Sequence, residues 1–141
     1  MNGRVFLDTN VFIYSYDDRD LRKQRTALEL IRDTTMDGSA TISYQVVHEF
    51  FNFALVKAAR KMSHEDAQRY LDTVFRPLLA VPSSVSLVTE AIRVQERYRL
   101  SWYDSLIVSA TQQAGCAVLY SEDLQHGQQF GTVTVHDPFR E

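Results

Sequence analysis

Arg4-Val5-Phe6-Leu7-Asp8-Thr9-Asn10 is the stretch on which the fold turns. Arg4 to Leu7 reads as a short buried strand, because a brief apolar run stopped by polar turn and cap residues is too short for a helix. Asp8, Thr9 and Asn10 each favour a helix start, so a helix is expected from near Val11. A strand that runs directly into a helix opens a β/α unit.

The alternation continues outward from there. A second helix is predicted from about Asp20 to Met36 on the apolar positions Ala27, Leu28, Leu30 and Ile31, with Gly38 ending it. Ala40-Thr41-Ile42-Ser43 reads as a second strand, followed by a long helix whose Val47, Phe50, Phe51, Ala54 and Ala58 fall at helical spacing. Ser63-His64-Glu65-Asp66 has the form of an N-cap with acids in the first turn, starting a helix that should end around Pro77. A short third strand over Leu79-Ala80-Val81 precedes a helix from Val85 to about Arg99. Ser101 caps a further helix, closed by Gly115, with the fourth strand at Ala117 to Tyr120 and the fifth at Thr132 to Val135. Short strands alternating with longer helices predict an α/β fold, a three-layer α/β/α sandwich around a parallel sheet of about five strands.

The 141 residues fit one domain over 1–141, with neither repeat nor linker. The chain is 45% apolar and has a single cysteine, Cys116, which excludes an internal disulfide framework and reads as a small buried hydrophobe. No apolar run approaches the roughly 18 residues of a membrane helix, and a cytoplasmic address without membrane attachment is expected. Fifteen Lys and Arg stand against 18 Asp and Glu. A net charge of −3 argues against a passive nucleic-acid coat, which is normally basic. Whether it argues against an enzyme depends on where the acids sit.

In open α/β sheets, ligands bind beyond the carboxyl ends of the strands. Asp8 directly follows the first strand, and Asp123 lies three residues past the fourth. Glu49 falls in the second turn of the helix leaving the second strand, off its apolar stripe, and Asp104 in the first turn of its helix. All four reach one edge of the sheet if the first and fourth strands are neighbours, a condition the spacing leaves open. Clustered carboxylates repel unless protonated or bound to a cation. Mg²⁺ and Mn²⁺ take oxygen ligands and support in-line attack on phosphodiesters, so metal-assisted phosphodiester hydrolysis is the chemistry such a cluster suits. Singly, each acid also fits a structural role: Asp8 and Asp123 as caps, Asp104 paired back to Ser101, Glu49 as solvated surface.

Four segments carry a resemblance. Val5-Phe6-Leu7-Asp8-Thr9-Asn10-Val11, Ile42-Ser43-Tyr44-Gln45-Val46-Val47-His48-Glu49-Phe50, Tyr103-Asp104-Ser105-Leu106-Ile107-Val108-Ser109-Ala110 and the run from Gly115 to Gly127 around Ser121-Glu122-Asp123 resemble, in order, the motifs of PIN-domain nucleases. The similarity spans nearly the whole chain, and its length is similar to that of VapC-type toxins of type II toxin–antitoxin systems. The resemblance implies a Mg²⁺- or Mn²⁺-dependent ribonuclease with strand order 3-2-1-4-5, which makes the first and fourth strands neighbours. It implies that Asp8 and Asp104 are the principal metal ligands, with Glu49 and Asp123 completing the acidic pocket. Asn10, Ser43 and Ser121 match positions that orient those acids. It also implies an RNA substrate, a homodimer and a cognate antitoxin laid into the active-site groove. Alternatives are a PIN nuclease of RNA processing without a toxin role, and a non-catalytic α/β binding module.

Other signals carry less. His48-Glu49-Phe50-Phe51-Asn52 lacks the second histidine of a zinc-protease helix, so His48 is expected as an exposed residue. Asp8-Thr9-Asn10 has Asn where haloacid-dehalogenase-like phosphatases carry a second acid, and no glycine-rich phosphate loop occurs. His64, His126 and His136 show no ligand spacing. Arg22, Lys23 and Arg25, with Arg19, are candidate RNA-phosphate contacts near the Asp8 loop; Lys57, Arg60 and Lys61 read first as a solvated helix end. Tyr14, Tyr16, Trp102 and Tyr103 flank the pocket as candidate stacking residues, although core or dimer contacts are the commoner role of such aromatics. Phe50, Phe51 and Phe53 lie on two faces of one helix, so at least one is expected against a partner chain.

Overall fold

The structure, a computed structural model, describes residues 3–141. Strand β1 (Val5–Leu7) buries both Phe6 and Leu7 completely. Successive strand side chains point to opposite faces, so both faces of the sheet are covered by helices, as parallel sheets require. The six-stranded sheet has the order β3-β2-β1-β4-β6-β5. It comprises β2 (Ala40–Ser43), β3 (Leu79–Val81), β4 (Val118–Tyr120), β5 (Gln129–Phe130) and β6 (Val133–His136) besides β1. All neighbours are parallel except β5, which runs antiparallel to β6 at the edge.

The expected order 3-2-1-4-5 holds, with β6 in the fifth place, and β5 is a strand the sequence did not announce. Its two residues are too few for any period, and Gly131 turns it back onto β6 at φ 62°. The remaining edges differ by a few residues. Helix α1 (Thr9–Tyr16) starts two residues before Val11, because the Asp8 carboxylate accepts the Thr9 N–H and caps it there. Helix α2 (Leu21–Met36) is capped by Asp20 and stopped before Gly38 at φ 77°.

The long helix expected after β2 is helix α3 (Tyr44–Asn52) ending in a wider, π-helical turn over Phe53–Lys57. Helix α4 (His64–Tyr70), capped by Ser63, ends likewise in a π-helical turn over Leu71–Phe75 before Arg76–Leu78 tightens into β3. Helices α5 (Val85–Tyr98) and α6 (Trp102–Gln113) pack against each other and complete the layers. Cys116 is buried, with its Sγ 3.2 Å from the Thr41 hydroxyl. No helix among the described residues is long and apolar enough to cross a membrane.

An aromatic cluster joins α1, α3 and α4. Phe50 stacks on Tyr70 at 4.8 Å and meets Phe51 and Phe75 edge-on at 5.5 and 5.3 Å, while Phe75 also contacts Phe12 at 5.1 Å. Phe50 and Phe51 therefore find aromatic partners within the chain, while Phe53 is half-buried beside the pocket described below. Truncating the fully buried Phe50 to alanine removes its packing and leaves a cavity, and should cost roughly 3–5 kcal/mol of stability. Urea unfolding of Phe50→Ala against the parent chain measures it; a loss below about 1 kcal/mol would mean that the cluster is not a structural anchor.

Candidate active site

The register of β1 on β4 builds the site. Leu7 pairs with Tyr120, so the next residues, Asp8 and Ser121, leave the sheet side by side. The Asp8 N–H bonds the Tyr120 carbonyl at 3.0 Å. Asp8 is buried, at 3% exposure; one carboxylate oxygen accepts the Thr9 N–H and the other the Ser121 hydroxyl, both at 2.7 Å. The Ser121 oxygen accepts in turn the Asp123 N–H at 3.1 Å. One hydroxyl thus orients Asp8 and fixes the turn that carries Asp123.

The other acids are held from α1, α3 and α6. The Thr9 hydroxyl donates to Glu49 at 2.7 Å, and the Asn10 amide donates to Asp123 at 3.2 Å while its carbonyl oxygen accepts the Glu122 N–H at 3.4 Å. Asp104, in the first turn of α6, has its N–H capped by the Ser101 hydroxyl, which leaves its carboxylate free for the pocket. Asp8, Glu49, Asp104 and Asp123 line one cavity of about 520 Å³ together with Asn10. Burial pushes the Asp8 carboxyl up to about 7, against the two hydrogen bonds and with the Asp123 and Glu49 charges adding to the rise. Burial also raises Asp123, and Asp104 and Glu122 add to it.

This donor set suits a hard divalent cation. Among the described residues no three His, Cys, Asp or Glu side chains converge closely enough to enclose a metal ion. An open arrangement of oxygens is what Mg²⁺ tolerates, since it binds through one or two carboxylates and keeps several waters. A buried carboxylate shifted toward protonation is a further sign that positive charge at this spot would be stabilising.

Ser43 stands apart from the acids. Its hydroxyl is buried without a hydrogen-bond partner, and the residue borders a neighbouring, mainly apolar cavity of about 310 Å³ lined also by Val81, Leu87 and Leu106. Of the four basic residues expected near RNA, Arg22, Lys23 and Arg25 do not line the acidic cavity, whereas Arg19 does. Arg22 donates to the Phe139 carbonyl and pairs with Glu141, and Arg25 is exposed on α2 beside Leu28. Lys23 lies 2.6 Å from Glu122 and 4.6 Å above the Tyr14 ring, while the Tyr14 hydroxyl also donates to Glu122 at 2.6 Å. The bases that do line the cavity are Arg19 and Lys57. Tyr14 and Tyr103 line it too, the latter 64% exposed. Thr9 and Glu122 were not singled out in the sequence; adjacency to Asp8 and Asp123 was the signal available for both.

An acid-lined cavity at the carboxyl edge of a parallel sheet, inside three layers, defines a class of domain, and the comparisons give its family. Residues 5–128 match the PIN domain model, and the chain belongs to the PIN domain family. Two solved structures are similar across 97% of this chain and 99% of their own. One is a toxin–antitoxin complex from Klebsiella pneumoniae (TM-score 0.68, 16% identity), the other the FitAcB crystal structure from Neisseria gonorrhoeae (TM-score 0.63, 14% identity). No curated protein sequence matches the chain.

Asp8 makes the stability of the cation-free chain depend on pH. Its carboxyl holds a proton more tightly folded, at about 7, than unfolded, near 3.8. Folding therefore takes up a proton between those values, and the contribution of Asp8 to stability falls as pH rises through that window. In EDTA the melting temperature should drop by about 5–10 °C from pH 5 to pH 8. Asp8→Asn should flatten most of that drop. A variant with the parent's slope would place the titration elsewhere.

Proposed function

We propose that this chain is a Mg²⁺-dependent endoribonuclease, with Mn²⁺ as a possible substitute, acting in the cytoplasm as the toxin of a toxin–antitoxin pair. The observation that carries the catalytic reading is the buried, doubly hydrogen-bonded Asp8 sharing one cavity with Glu49, Asp104 and Asp123. Asp8 and Asp104 would hold the cation, and Glu49 and Asp123 would complete its surroundings. When bound, such an ion supplies a nucleophile near neutral pH and stabilises the phosphoryl oxygens. The protein side chains do the positioning. Ser121 and the Thr9 N–H fix both oxygens of Asp8, the Thr9 hydroxyl fixes Glu49, and Asn10 fixes Asp123.

The likeness of the whole chain to the Klebsiella pneumoniae toxin–antitoxin complex supports the toxin role and an antitoxin partner. A homodimer is part of the same proposal. Val85, Val88 and Ile92 leave an apolar stripe of α5 exposed at 84, 40 and 57%, which supports association through that side.

Purified chain should cleave single-stranded RNA when Mg²⁺ or Mn²⁺ is added and not in EDTA. Asp8→Asn and Asp104→Asn should each reduce cleavage to background while circular dichroism shows a folded protein. Ser121→Ala, which loosens the orientation of Asp8 and the turn that carries Asp123, should lower the rate about 10–100-fold. Undiminished cleavage by the Asp8→Asn, Asp104→Asn double variant would sink the site. Induced expression should arrest growth, and co-expression of an adjacent small gene should relieve it.

A further inference from the structure

The charges around the acidic cavity sort into pairs and a remainder. Its lining includes six acids, Asp8, Asp17, Glu49, Asp104, Glu122 and Asp123, and two bases, Arg19 and Lys57. Arg19 forks onto Asp17, its Nη2 2.6 Å from the carboxylate, and Asp17 is held below its ordinary value by that contact. Glu122 is taken by Lys23 from outside the cavity. What remains is the quartet at Asp8, Glu49, Asp104 and Asp123, and one cation. Among the described residues Lys57 is exposed and bonded to no acid.

The backbone brings Lys57 there by an unusual route. Gln45, Glu49 and Asn52 all line the cavity, four and three residues apart, as one face of an α-helix must be. Continued regularly, that face would next present Val56. The π-helical turn closes instead with the Ala58 N–H on the Phe53 carbonyl at 2.8 Å, five residues back. The wider turn delays the face by about one residue, so Val56 points away at 60% exposure and Lys57 takes its place. Single π turns in helices occur frequently at functional sites. Phe53, half-buried, lies at the same end and also lines a small adjoining cavity of about 60 Å³ with Arg19 and Arg60, so the groove continues past it.

We infer that Lys57 marks a phosphate-binding subsite for the RNA strand, set by the π turn on the rim of the acidic cavity, with Phe53 beside it as a base platform. The inference rests on the ribonuclease reading and names how that site takes its substrate. A cation kept free beside acids that repel a polyanion gives the strand an anchor, and an aromatic face accepts any base. Lys57 touches no reacting atom. Its effect belongs to strand binding and not to the chemical step.

The test is anisotropy of a fluorescein-labelled single-stranded oligoribonucleotide of about eight nucleotides on the intact chain in Ca²⁺, over about 50–300 mM KCl. Lys57→Gln should weaken binding roughly tenfold and reduce the slope of log affinity against log salt by about one, with Lys57→Arg restoring most of both. Arg25→Gln, an exposed charge away from the groove, is the control and should change the slope less. In cleavage assays Lys57→Gln should raise KM and leave kcat within about twofold. Equal affinity and slope for Lys57→Gln and parent, or no binding of the oligonucleotide by the parent, would overturn the subsite. Binding that depends on Lys57 in a chain that never cleaves RNA would uphold the subsite and sink the ribonuclease reading.

Discussion

A carboxylate held out of water at the end of a strand is the constraint around which this molecule is arranged. Asp8 is almost wholly buried, and burying an ionised carboxylate without partners costs several kcal/mol, of order the stability of a whole domain. The β1–β4 pairing meets that demand. Its register sets Asp8 next to Ser121 and closes the Asp8 N–H onto Tyr120. The first residue of α1 then offers both its N–H to Asp8 and its hydroxyl to Glu49. Sheet pairing, helix capping and site assembly are therefore one set of bonds. The two hydrogen bonds do not cancel the burial, so Asp8 still titrates near 7, and a bound cation is the natural complement.

The strands and the placement of the four acids were legible because both are written locally. Short apolar runs stopped by Asp or Ser announced the strands, and each acid sits next to a strand end or in the opening turns of a helix. What spacing alone could not say, that β1 and β4 are neighbours, the family resemblance supplied and the register confirms. The losses come where the deciding partner is distant in the chain. Lys23 looked like a free charge at the start of α2; it is spoken for by Glu122, nearly a hundred residues on. Phe50 and Phe51 looked like too many aromatics for one helix until Tyr70 and Phe75 closed over them. The π turns escaped the reading because a one-residue shift of the face in the last turn of a helix is too brief to stand out against ordinary helical spacing.

Ser43 shows how register and contact can part. β2 pairs with β1 so that Thr41 faces Phe6, which carries Ser43 to the same edge as Asp8. Yet its hydroxyl is buried and bonds nothing, at a cost of about 1–3 kcal/mol for a buried unsatisfied group. Gln45, Glu49 and Tyr103 line both that cavity and the acidic one, so the two share a wall. Anything that settles in the apolar cavity touches the helix turn that positions Glu49.

The net charge of −3 gains meaning only after this sorting. Setting the quartet aside leaves 14 acids against 15 bases, close to neutral. At physiological salt, charges beyond about 8 Å are largely screened, so an approaching strand responds to the local surface and not to the total. Locally the groove offers four acids at its floor and two bases at its rim, of which Arg19 is already paired with Asp17. A polyanion entering it meets repulsion wherever no cation is bound and attraction only where a base is left unpaired. In the proposed ribonuclease, ion loading and strand binding would be coupled by electrostatics, because a cation that offsets Asp8 would also remove charge that turns a polyanion away.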